Sequence, residues 1–551
     1  MSDRYRGVAD LADLFDRHWR GLMEDSPETA TYVGWHELHD RWTDLSAEAI
    51  DRRRREAAEP LDALAGLDRS ADPLSAEVFE SLVRRDVDAA RFPGELLPLD
   101  QLEGPQNDIP FLLAAMAVDT DEQRGDYLTR LRGIPVLLEQ TIALMDRGLA
   151  AGLSVPAICL RDVPAQIDAH FTDDPHECPE LVPLAGCPPE VRDEAAGIVA
   201  EQVLPAFVRL REYLVDRYLP AARESIALTA LADGEEWYAE RVRYHTTTDL
   251  APKEIHEIGV AEVERITKAM AAVMDEIGFT GGTAAFAEHL RTDPRFYFDT
   301  PDALLAFYRD VAKRIDPAVP RLFRLMPRMP FGIVPVPPEQ APSAPAAFYL
   351  QGSLELGRPG QFYANTFDLP SRPSWNMESV CLHEAVPGHH FQISIAQEME
   401  GLPEFRRQSL SCTAYVEGWG LYCESLGPEM GVYTDPYQRY GALDAELLRA
   451  IRLVTDTGMH ALGWSRDQSI AYFEEHSPMS KHEIVSEVDR YIVLPGQALA
   501  YKIGELRIQD LRRRHAEAPG FDLRDFHDEL LRHGALPLDV LERLVDARFA
   551  P

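Results

Sequence analysis

His383-Glu384-Ala385-Val386-Pro387-Gly388-His389-His390 is the stretch from which the rest of the chain is read. It places histidines on both sides of a carboxylate. In the helical form of a zinc hydrolase motif, two histidines four positions apart share a helix face and hold Zn²⁺, while the glutamate between them takes a proton from water. Here the fourth position after His383 is Pro387. At about 100° per residue, His389 lies roughly 120° off the face of His383, and His390 is nearly in line but about 10 Å along the axis. Pro387 lacks the N–H that would bond the His383 carbonyl, and Gly388 tolerates unusual backbone angles, so the spacing predicts a bulge or break there. With Pro387-Gly388 as a two-residue insertion, His389 takes the place of the missing ligand, and His390 is its alternate.

The His-Glu pair alone carries no information, because it recurs at His36-Glu37, His176-Glu177, His256-Glu257 and His482-Glu483. His39 even follows His36, but Asp40 and Arg41 beside it mark an exposed polar face. His383-Glu384 differs in its setting: Val380, Cys381, Leu382, Ala385 and Val386 make an apolar element in which uncompensated ionisable groups are costly. A hydrogen-bonded polar cluster is the plainer reading; a metal site is the one favoured here. The third ligand should be a carboxylate on a downstream helix. Glu417 fits, in the middle of an apolar run from Leu410 to Leu426 that stops at Gly427-Pro428. Glu424, one heptad later, is the rival ligand or the acceptor that orients a ligating histidine.

His-Glu-Ala-x-Pro-Gly-His-His followed by Glu417-Gly418-Trp419 resembles the family catalogued as domain of unknown function 885 (DUF885), whose members are similar to helical zinc peptidases of the glutamate-ligand (gluzincin-like) class. Further matching segments are Gly234-Glu235-Glu236-Trp237-Tyr238, Asp456-Thr457-Gly458-Met459-His460, and Arg490-Tyr491 through Pro495-Gly496-Gln497-Ala498 to Tyr501-Lys502. They cover about the C-terminal three-fifths; the N-terminal part matches in helical character alone. The resemblance implies a largely helical metallohydrolase with metal ligands at His383, His389 and Glu417 and a general base at Glu384. It implies little about substrate.

At 551 residues the chain exceeds one ordinary core, and the expected fold is mainly α: two helical lobes, 1–235 and 236–551, with a central cleft and a small β element. A hydrophobic share of 45% with 27% charged residues indicates a globular protein. The 92 acidic against 55 basic residues give a net charge of −37, which opposes nucleic acid or anionic membrane as a partner. The opening residues lack the apolar core of a secretory signal and no run of about twenty apolar residues occurs, so the default location is cytoplasmic. Six scattered cysteines make no disulfide framework; Cys381, Cys412 and Cys423 read as small packing residues.

Apolar positions at three-to-four spacing predict helices over 8–24, 46–65, 74–91, 122–150 and 189–218, with a loop around 172–189. Further helices are expected at 252–277, starting at Pro252 with Asp249 as cap, and at 283–291, 301–314 and 447–463. The prolines at 327, 330, 335, 337, 338, 342 and 345 forbid a helix over about 327–372. Extended pieces at 332–334, 347–350 and 361–365 predict a small hairpin or sheet, either purely structural or an edge for a substrate backbone.

Amide hydrolysis also needs a donor for the developing oxyanion. Tyr491 is the first candidate and Tyr501 the second, with core aromatics as the competing reading for both. The start of the helix after Pro495-Gly496-Gln497 offers N–H groups for a substrate carboxylate, with Arg490 or Lys502 adding charge. His460 can orient a neighbouring group or act as a donor, though a packed histidine is the simpler reading, and Asn365 can contact substrate backbone. The function expected is hydrolysis of peptide or peptide-like amides by one Zn²⁺ ion and Glu384. Its rivals are a metallohydrolase of an acyl, carbamate or ester metabolite, and a non-catalytic helical binding scaffold. Oligomeric state is not legible.

Overall fold

Prolines at the first turns of helices and glycines just past their ends punctuate this chain, and the structure follows them. The computed structural model describes residues 2–338, 341, 344–354, 357–408 and 412–550. It is mainly α, 67% helix and 3% strand, as the periodicity predicts. The chain splits into two compact units, Met1–Ile226 with Ala230–Ala232 and Ala227–Thr229 with Asp233–Pro551.

In the first unit, helices Leu11–Asp25, Pro73–Ala89 and Asp121–Ala150 lie where the apolar spacing puts them. Two spans depart from a single regular α-helix. The span 46–65 is two helices, Ala47–Glu56 and Glu59–Ala65. The span 189–218 is helical throughout but widens twice into π turns, at Val199–Val203 and Leu214–Tyr218. The surface face assigned to His36 and His39 is also revised, because His39 is only 4% exposed. Arg130 is fully buried here with no carboxylate bonded to it among the described residues; its guanidinium donates to Thr31 Oγ1 and to the carbonyls of Pro27, Leu38 and Arg41.

The second unit carries the histidine motif. Its sheet has the order β1-β3-β2, from β1 (Phe331–Pro335), β2 (Ala347–Leu350) and β3 (Gly360–Ala364). β1 runs parallel to β3 and β2 antiparallel to it. Ile333 and Phe362 turn inward onto Leu304, Tyr308, Met377 and Cys381, so the sheet backs the helix that bears His383. Of the prolines that exclude a helix here, Pro342 lies outside the described residues.

Five helices frame the motif: α1 (Met377–Glu384), α2 (His389–Gln397), α3 (Thr413–Ser425), α4 (Pro436–Ala461) and α5 (Ala500–His515). The expected start of α3 at Leu410 falls outside the described residues. α4 begins eleven residues before the expected 447, at an Asp435 cap whose side chain accepts from the Tyr437 N–H. Helix Pro252–Ile277 has its predicted bounds, but its cap is Ala251, whose N–H is held by Glu254, and not Asp249. Glycines set the closest helix contacts. A Cβ on Gly259 would lie 2.7 Å from Leu453 Cβ on α4, and one on Gly504 of α5 would lie 1.8 Å from the Ala414 carbonyl oxygen of α3. Among the described residues, no helix is long and apolar enough to cross a membrane.

Candidate metal centre

The helix breaks where the sequence places the break. α1 ends at Glu384, Ala385 takes φ −104° and ψ −102°, the Val386–Pro387 peptide is cis, and α2 starts at His389. Here the chain folds back on the end of α1 so tightly that a Cβ on Gly388 would fall 1.8 Å from the His383 carbonyl oxygen. Trp419, fully buried on α3, fixes the fold-back by donating its indole N–H to the Pro387 carbonyl at 2.8 Å.

The break turns His389 toward His383: their rings meet edge to face, with centroids 4.6 Å apart. Nε2 of each histidine lies 3.5 Å from the same oxygen, Oε2 of Glu417 on α3. The ligand atoms of His383, His389 and Glu417 all lie within 4.8 Å of one another. Two ligands each 2.0–2.1 Å from a tetrahedral zinc ion sit roughly 3.4 Å apart, so this spacing suits that ion. The donor set, two imidazole nitrogens and one carboxylate oxygen, also suits zinc with a fourth position left open.

Glu424, one heptad beyond Glu417, accepts from His383 Nδ1 at 2.8 Å, which turns Nε2 to the cluster and makes it the nitrogen that gives up its proton to a metal. Gly420 makes room for the ring: a Cβ there would lie 2.7 Å from His383 Cε1. Arg449 of α4 closes the chain, with Nη2 3.6 Å from Glu424 Oε1. His389 has no such support, since its Nδ1 is buried without a partner among the described residues.

The electrostatics are those of mutually held charges. Burial opposes ionisation of Glu417, but hydrogen bonds from His383 and His389 hold its carboxyl well below the usual range. Burial would lower the His383 pKa, yet Glu417 and Glu424 push it up to about 10. Glu384, the residue after His383, has no hydrogen-bond or ion-pair partner among the described residues.

The remaining candidates lie elsewhere. His390 turns away to Tyr349 Oη and Ser394 Oγ, at 3.0 and 3.3 Å from its Nδ1. Tyr491 is fully buried, its hydroxyl donating to Glu487 and accepting from Arg452, so it points into an ion pair rather than at the cluster. His460 is packed: Nε2 donates to the Tyr491 carbonyl and Nδ1 accepts from the Leu228 N–H. Lys502 is sealed among Glu262, Glu446 and Glu505. Asn365 donates its side-chain N–H groups to the carbonyls of Ala341, Ala344 and Pro345. Arg490 donates to Gln497 and to Tyr501 Oη. Tyr501 lies under Arg452 and Arg449, and through Arg449 it neighbours Glu424. The N–H of Gly496, expected to face a substrate carboxylate, instead meets the carboxylate of Asp456.

Sequence reasoning missed Gly420, the Trp419 bond to Pro387, and Arg449. The Glu417-Gly418-Trp419-Gly420 run held the signal for the first two, since small residues around a ligand mark close approach.

Among solved structures, "the putative lipoprotein from Colwellia psychrerythraea" is 27% identical, with a TM-score of 0.92 and 98% of each chain covered. "A putative lipoprotein of unknown function from Shewanella oneidensis" is 17% identical, with a TM-score of 0.68 over 97% of this chain and 99% of that one, a likeness of fold alone. No curated protein matches the chain. A family model described as "Bacterial protein of unknown function (DUF885)" matches residues 27–545, and the chain belongs to that family.

Proposed function

We propose that this protein is a zinc-dependent hydrolase of amide bonds in peptides or peptide-like substrates. One observation carries the reading: two histidine Nε2 atoms converge at 3.5 Å on one oxygen of Glu417, beside a glutamate that has no partner among the described residues. A structural metal site has no use for such a free carboxylate, which argues against a purely architectural role.

A zinc ion bound by His383, His389 and Glu417 supplies Lewis acidity to a water and to the substrate carbonyl. The residues do the rest. Glu424 fixes the His383 tautomer, so that Nε2 is available as a donor atom. Trp419 and Gly388 hold the fold-back that brings His389 to His383. Glu384 takes a proton from the attacking water and delivers it to the departing nitrogen.

The test is zinc titration of the purified chain followed by digestion of a peptide library, with Glu384→Gln alongside. The reading expects one zinc per chain in both proteins, with cleavage by the wild type alone. Zinc-free protein, or a Glu384→Gln variant that cleaves as well as wild type, rejects it.

A further inference from the structure

A cavity of about 200 Å³ lies in the second unit between α1, α4 and the segment that precedes α1. At ~30 Å³ per water it holds roughly seven waters, the room of a single amino-acid residue. Its wall is apolar at Leu304, Val380 and Leu448 and charged at Arg372, Asp444, Arg449 and Glu483, the last accepting from the Ser480 N–H.

Four buried side-chain atoms without a hydrogen-bond partner among the described residues belong to this wall: Arg372 Nε, Trp375 Nε1, Arg449 Nε and Asp444 Oδ1. Three are donors and one is an acceptor. Arg372 has no carboxylate partner among the described residues, where its one side-chain hydrogen bond goes to the Ser371 carbonyl. Guanidinium N–H groups and an indole N–H on one cavity wall are the donors that suit a carboxylate, which accepts up to four hydrogen bonds.

The cavity lies one to two helical turns from the motif along α1. Met377 and Val380 line it from α1, and Glu384 follows them by seven and four positions, within roughly 20° and 40° of the same helix face. Tyr308, on the same wall, feels the charges of both Glu384 and Arg372. Arg449 reaches from the wall to Glu424, the partner of His383.

We infer that this cavity receives the C-terminal residue of a peptide or N-acyl amino acid, its carboxylate held by Arg372 and Trp375, so that the enzyme releases single amino acids from a free carboxyl end. This rests on the hydrolase reading for the cleavage, but not for the binding. In the cleavage, the water oxygen bonds to the carbonyl carbon, the C–N bond breaks, and the proton taken by Glu384 goes to the departing nitrogen. The products are a shortened acid and a free amino acid, with no oxidant or reductant involved.

The experiment titrates N-acetyl-Phe-Leu and its C-terminal carboxamide calorimetrically into the full chain carrying Glu384→Gln, with and without zinc. The acid should bind at least tenfold tighter than the amide. Arg372→Gln should erase that preference, and Arg372→Lys should keep part of it. If Arg372→Gln does not fold, Trp375→Phe, which removes the indole N–H and keeps an aromatic ring, should weaken the acid and leave the amide unchanged. Equal affinities, binding of neither probe, or a preference that survives Arg372→Gln overturns the inference. Incubating both probes with zinc-loaded wild type separates it from its parent: equal cleavage of acid and amide sinks the carboxylate site and keeps the hydrolase. Preferential binding of the acid with no cleavage of either does the reverse.

Discussion

Gly420→Ala is the smallest change that should empty the centre without touching a ligand. The new Cβ would sit 2.7 Å from His383 Cε1, 2.9 Å from Nε2 and 3.0 Å from Nδ1. Carbon atoms rest about 3.5 Å apart, so the imidazole must retreat by roughly 0.8 Å. Zinc sites tolerate ligand displacements of only about 0.2 Å. The ring is also tethered through Nδ1 to Glu424 at 2.8 Å, so it cannot slide without losing that bond. Loss of an orienting partner alone weakens metal binding by about 10–100-fold, and displacement of the ligand itself should exceed the upper figure. Stability should change far less. Alanine is favoured over glycine within a helix by about 1 kcal/mol, and crowding costs about 1–3 kcal/mol, leaving a net loss of no more than ~2 kcal/mol. Competition against a chromophoric chelator gives the zinc affinity, and urea unfolding gives the stability. A Gly420→Ala protein that binds zinc as tightly as wild type would refute the role assigned to this contact.

Other outcomes follow from the same geometry. Glu424→Gln should weaken zinc binding about 10–100-fold while all three ligands remain, read by the same chelator competition; unchanged affinity would show that His383 needs no partner. Arg130→Met strips hydrogen bonds from Thr31, from the buried carbonyls of Pro27 and Leu38 and from the Arg41 carbonyl, and at ~1 kcal/mol per buried bond should cost the first unit roughly 3 kcal/mol or more in urea unfolding. His527, between Tyr422 Oη and the Leu322 carbonyl, has its pKa pulled down to about 3 by burial. Its unfolded form gains a proton below its ordinary value of 6.5, while the folded form stays neutral to about pH 3. The stability that His527 contributes is therefore whole above pH 6.5 and is lost as pH falls toward 3. Between pH 6.5 and 5 the wild type should lose about 1.6 kcal/mol more than His527→Gln, and parallel unfolding curves would contradict the assignment.

What the sequence told and what it withheld divide along a physical line. Helix Pro252–Ile277 was legible to the residue because Pro252 opens it and Gly278 closes it in the left-handed region. The three strands were legible because prolines leave no other regular structure there. The break between α1 and α2 followed from Pro387-Gly388, and Glu417 followed from being a carboxylate in an apolar run. The early start of α4 was available in Asp435-Pro436 but carries little apolar periodicity, so spacing did not reveal it. Tyr491, Lys502 and Asn365 looked like site residues because they are polar groups in apolar company. Their partners, Arg452, Glu262, Glu446 and the Ala341–Pro345 backbone, are distant in sequence or fall in an irregular segment, and nothing local announces them. The cavity wall is the extreme case. Arg372, Trp375, Asp444 and Arg449 come from two segments about seventy residues apart, and only the packing of α1 against α4 brings them together.

The central claim is that two imidazoles and one carboxylate share a single metal ion across the broken helix. Anomalous diffraction at the zinc edge from crystals of the zinc-loaded protein tests it directly. One peak is predicted, about 2 Å from His383 Nε2, His389 Nε2 and a Glu417 carboxylate oxygen. No peak, or a peak bound by other residues while these three point apart, would contradict it.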